Sequence, residues 1–99
     1  MKPAPTCETM AEVRAGVDAI DLELVALLAR RFGYMDAAAR IKAQRGAVRD
    51  EARKSQVIAN AESAAVAAGL PAGLAADLWE TLVESSIAYE LSAWDLLRR

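Results

Sequence analysis

Residues 6–45 contain no proline, and in a chain of 99 residues no other feature constrains the fold so strongly. Their spacing predicts one helix, starting near Thr6 to Thr9 with Glu12 in the turns that follow, and running to about Arg45. Gly16 and Gly33 each cost about 1 kcal/mol relative to Ala, which the rest of the run outweighs. A helix of about 35 residues is about 50 Å long. A compact chain of this size has a radius of gyration of about 13 Å, so one protomer cannot cover such a helix. An intertwined homodimer with two-fold symmetry is the simplest remedy. A break at Gly33 is the alternative, although sharp kinks usually arise at proline.

The remainder reads as two shorter helices. The segment RGAV, ending at Val48, breaks the first helix, and Asp50 is a good N-cap for a second that runs to about Ala68. Gly69 is a C-cap candidate and Pro71 prevents simple continuation, so a third helix covers about Ala72 to Leu97. Few β-branched or aromatic residues compete for sheet, and the expected fold is all-α, a three-helix protomer. Residues 1–99 form one domain on this reading, with residues 1–7, carrying Pro3 and Pro5, as a flexible leader.

Several function classes fall away. The net charge of −2 gives no global attraction to nucleic acid or an anionic membrane. No apolar run approaches the roughly 20 residues needed to span a bilayer, and the N-terminus lacks the apolar core of a signal peptide. Cys7 alone cannot form an internal disulfide or a cysteine zinc cluster, and the chain has no His. A cytoplasmic, soluble helical protein without metal or cofactor is the expectation.

Two cations break the pattern of the long helix. Taking Val13 as the origin, Val17, Ile20, Leu24 and Leu27 all fall within about 40° of it, an apolar stripe. Arg31, Met35, Ala38 and Lys42 fall within the same about 40°. Glu12, Glu23, Arg30, Arg40 and Gln44 take the far side. Burying two unpaired cations costs several kcal/mol each, so either internal carboxylates or a bound small dianion should meet Arg31 and Lys42. Arg14 sits on a flank, about 25 Å along the axis from Arg31. An antiparallel copy of the helix could bring it to that pair; otherwise it pairs with Asp18 on the surface.

The third helix carries the same anomaly with opposite sign. Leu78, Trp79, Leu82, Val83, Ser86, Ile87, Trp94 and Leu97 form a broad apolar arc, with Glu90 in its middle. Asp77, Glu84 and Asp95 lie on the opposite, wet face. A carboxyl set among apolar groups should have a raised pKa and can donate a hydrogen bond when protonated. Alternatively Glu90 neutralises Arg31 or Lys42.

Over nearly its whole length the chain resembles the all-α chorismate mutase family. The pieces that carry the likeness are VRAGVDAIDLELVALLARRFGYMDAAARIK, then VRDEAR, then the SSIAYEL of the last helix. The opening MKPAPTC, the segment VDAIDLELV and YMDAAARIKA look closest to the subgroup that includes isochorismate pyruvate lyases. The resemblance implies an intertwined homodimer whose two sites each bind a dicarboxylate through cations from both chains. Residue by residue, it makes Arg31 and Lys42 site cations and Arg14 the arginine donated by the partner. It makes Arg53 the arginine that opens the second helix, Asp50 the nearby acid associated with a substrate hydroxyl, and Arg49 an electrostatic helper. Glu90 stands where the family usually has Gln, and Glu in some mutases, contacting the substrate ether oxygen together with Lys42.

The resemblance therefore implies a chorismate mutase, rearranging chorismate to prephenate without cofactor. Isochorismate pyruvate lyase, giving salicylate and pyruvate, is the second reading. A non-catalytic helical dimer that binds or regulates another protein is the third, but it leaves the inward cations unexplained. Two departures bear on the choice. Lys54 stands where mutases usually carry Glu after the arginine matched by Arg53, and Glu90 can donate to an ether oxygen only when protonated.

Overall fold

A computed structural model describes all of residues 1–99, and its regular elements are helical throughout. Helix α1 spans Met10–Ile41, α2 spans Glu51–Ala67 and α3 spans Leu74–Leu97. Short 3₁₀ turns cover Ala4–Thr6 and Arg45–Ala47. The chain divides into two compact units, Met1–Tyr34 and Met35–Arg99, with α1 running through both.

In the first unit, Thr9 starts α1 by a capping box. Its Oγ1 accepts the Glu12 N–H at 3.2 Å and donates to Glu12 Oε1 at 3.1 Å. Lys2 Nζ lies 2.7 Å from Glu12 Oε2, and this ammonium is the main reason the Glu12 carboxyl titrates below its ordinary range. The stripe expected to be core is open here: Val13, Val17, Ile20, Leu24 and Leu27 are 39–54% exposed.

In the second unit, α1 ends at Ile41, four residues before the expected Arg45. The Lys42 N–H closes the last turn on Ala38 O at 2.9 Å. Gln44 is then extended (φ −121°, ψ 135°), and the 3₁₀ turn delivers Val48 to the middle of a small core. There Val48 packs with Val83 and Ile87, flanked by Val57, Ile58, Trp79, Leu91 and Trp94.

Helix α2 begins as the sequence indicates, Asp50 Oδ1 accepting the Arg53 N–H at 3.0 Å. It ends in a Schellman motif, with Gly69 at φ 89°, Leu70 N–H on Ala65 O and Gly69 N–H on Val66 O. Helix α3 starts at Leu74, two residues later than expected, because Gly73 at φ 89° turns the chain first. Gly73 has no capping side chain, and Glu62 of α2 supplies one: its carboxylate accepts the N–H groups of Gly73 (2.8 Å) and Ala76 (3.1 Å). That contact ties the α2–α3 turn shut and fixes which face of α3 meets α2. No helix is long and apolar enough to cross a membrane.

Candidate active site

Glu90 is 4% exposed, on the buried face of α3 with Val83, Ser86 and Ile87. Burying a carboxylate costs several kcal/mol unless it is paired, and it is paired. Lys42 Nζ donates to Glu90 Oε2 at 2.7 Å, and lies 3.5 Å from Val48 O. Lys42, one of the two cations expected to meet a carboxylate, makes an ion pair with Glu90. Its side chain keeps 30% exposure against 6% for that of Glu90, so the pair opens to solvent on the lysine side. It sets a cation and a carboxylate side by side at the edge of an apolar core.

Asp50 and Arg53 meet through the cap, which occupies Asp50 Oδ1. The Arg53 guanidinium is exposed and donates to Gln56 Oε1 at 2.7 Å. In the first unit, Arg14 is exposed and Arg31 half-buried, both on α1.

The acids expected on a wet face of α3 are largely engaged. Arg49 grips Glu84 through both guanidinium nitrogens, at 2.8 and 3.0 Å, and reaches Glu51 at 2.8 Å. Lys54 donates to Glu80 at 2.7 Å and Glu84 at 2.8 Å. The hydrogen bonds from Arg49, and then from Lys54, push the Glu84 carboxyl down to about 2. Glu84 and Glu51 hold the Arg49 guanidinium above its ordinary range, and Glu80 and Glu84 do the same for the Lys54 ammonium. Farther along, Arg45 holds Asp95 through two bonds, at 2.9 and 3.1 Å. Lys54 thus ties α2 to α3, with partners 26 and 30 residues away that no local spacing reveals.

Two residues around Lys42 escaped the sequence reading. Trp94 Nε1 and Arg98 Nη2 both donate to Lys42 O, at 3.0 and 2.8 Å. Their spacing of four on one helix face was the available signal, since an Arg one turn after a Trp can stack on its ring.

Residues 13–91 match the family model described as chorismate mutase type II. Isochorismate pyruvate lyase from Pseudomonas aeruginosa is 31% identical over 94 residues, covering 95% of this chain and 93% of that protein.

Proposed function

The chain belongs to the chorismate mutase type II family, and on that footing we propose that it is a pericyclic enzyme acting on a small enolpyruvyl dicarboxylate. The observation that carries this reading is the buried Lys42–Glu90 pair. A pericyclic step needs no nucleophile; it needs the reactive conformer held and the breaking C–O bond polarised. Lys42 and the acid form of Glu90 donate to the ether oxygen, where negative charge collects. Arg31 and the Arg14 of a partner chain clamp the carboxylates, and Arg53 closes over them from the start of α2. Asp50, with one oxygen given to the helix cap, has the other for a substrate hydroxyl.

Two substrates fit this chemistry. In chorismate, scission of the C–O bond accompanies formation of a C–C bond, and prephenate results. In isochorismate, a ring hydrogen passes to the enolpyruvyl methylene as the C–O bond breaks, leaving pyruvate and salicylate. The sequence reading put the mutase first. A near full-length relative that is an isochorismate pyruvate lyase, and a Lys54 engaged with Glu80 and Glu84 where mutases usually carry an acid, support the lyase as the main activity. Mutase activity is the secondary reading, favoured by a Glu at position 90.

Purified protein incubated separately with chorismate and isochorismate tests this directly. The expected result is salicylate formation with kcat/KM above that for prephenate formation, and loss of either activity in Arg31→Ala. Faster turnover of chorismate restores the mutase to first place. Turnover of neither leaves the helical dimer as a binding module, and an Arg31→Ala variant at the wild-type rate removes the arginine clamp from the mechanism.

A further inference from the structure

The end of α3 holds the end of α1, and the residue it holds is Lys42. An α-helix leaves its last four carbonyls without helical partners. Here Arg98 Nη1 donates to Ala39 O at 3.1 Å and Nη2 to Lys42 O at 2.8 Å, a reach across two carbonyls that suits a planar fork. Trp94 Nε1 adds a second bond to Lys42 O at 3.0 Å. The guanidinium lies 4.2 Å from the centroid of the Trp94 ring and also bonds Trp94 O at 3.3 Å, so each donor steadies the other. Lys42 is thereby fixed on both sides of its Cα, its N–H on Ala38 O and its C=O on Trp94 and Arg98.

A lysine head sits on a flexible four-carbon stem, and its position is only as definite as the backbone that bears it. We propose that Trp94 and Arg98 are positioning residues that set Lys42 for its work on the ether oxygen, without touching substrate themselves. The proposal rests on the function assigned to Lys42 above. The same contact bears on where α1 stops: Ala39 O, the acceptor the next helical N–H would use, receives Arg98 Nη1 instead.

The test compares Arg98→Ala and Trp94→Phe with wild type, the second keeping an aromatic ring while removing the indole N–H and part of the ring system. Misplacing a catalytic head by a fraction of an ångström lowers the rate of the chemical step more than binding, so kcat should fall about tenfold in Arg98→Ala and about threefold in Trp94→Phe. KM should stay within about twofold, since the clamping arginines are intact. Unchanged kcat in both variants overturns the proposal. So does a lowered unfolding midpoint with unchanged kcat per folded chain, the signature of a purely structural clamp. Hydrogen exchange at the Lys42 amide separates this from the functional reading. If wild type turns over neither substrate, the assigned activity has failed, yet faster exchange at Lys42 in Arg98→Ala, with α2 amides unaffected, still supports the clamp. Unaltered exchange there overturns it.

Discussion

A carboxylate beside a breaking C–O bond opposes the charge that gathers on oxygen, so Glu90 assists only while it carries a proton. Lys42 is its ion-pair partner, and a substrate oxygen arriving at the ammonium competes with Glu90 for it. Glu90→Gln donates an N–H without needing an added proton, so its kcat/KM should equal or exceed that of wild type. A Glu90→Gln variant that loses most of the activity would remove the donor role. Stability should follow another order. The amide oxygen introduced by Glu90→Gln still accepts from Lys42, whereas Lys42→Ala leaves a buried carboxylate alone and should cost about 1–3 kcal/mol, read from denaturant midpoints. The burial of Glu90 was legible in its place among Val83, Ser86 and Ile87, because side-chain direction on a helix follows from residue number. Its partner was not legible. Periodicity puts Arg31 and Lys42 on one stripe without distinguishing them, and the contacts that hold the Lys42 backbone come from Trp94 and Arg98, 52 and 56 residues beyond it.

Among elements, an ion-pair network of Arg49, Glu51, Lys54, Glu80 and Glu84 joins the start of α2 to α3. Glu84 receives Arg49 and Lys54, and its pKa of about 2 lies below the 4.5 of a free glutamate. A folded-state pKa lowered in this way adds stability above the unfolded value, and that stability is lost as pH falls from about 4.5 through about 2. Acid unfolding of wild type should therefore show a component in this window that Glu84→Gln removes. The component should shrink with added salt, because Arg49 and Glu84 are over 40% exposed and screened by solvent. An acid transition identical in the two proteins would mean that the network holds no weight. The elements themselves were read well wherever the signal is local. Asp50 caps α2 with its carboxylate, and Gly69 ends it by taking a left-handed φ that a side chain would oppose. The misreadings, α1 to Arg45 and α3 from Ala72, fall where a distant side chain replaces the local cap: Arg98 and Trp94 at one end, Glu62 at the other. At the start of α3 the local signal and the distant one act together, Gly73 turning the chain at φ 89° and Glu62 supplying the cap that Gly73 lacks.

For the whole molecule, the open stripe on the first part of α1 is the feature to explain. Val17, Leu24 and Leu27 are more than half exposed on a helix whose isolated turns would be marginal in water. Burying such side chains gains about 1.5–3 kcal/mol each, which a second copy of the helix can supply. The expected species in solution is a homodimer of twice the 10.6 kDa chain, and Leu24→Lys should shift it toward monomer in sedimentation. A mixing experiment reaches further, because it asks which chain provides Arg14. If each site takes Lys42 from one chain and Arg14 from the other, Arg14→Ala and Lys42→Ala are each inactive alone. A heterodimer of the two, however, has both defects gathered in one site and the other site intact. Equal amounts refolded together give heterodimers as about half of all dimers, each with one of two sites working, so activity should return to about one quarter of wild type. If Arg14 serves its own chain's site, every site in every mixed dimer lacks one cation and no activity returns. If the dimer is intertwined, recovery from subunit exchange alone, without refolding, should be slow, since two long helices would have to separate before they re-pair.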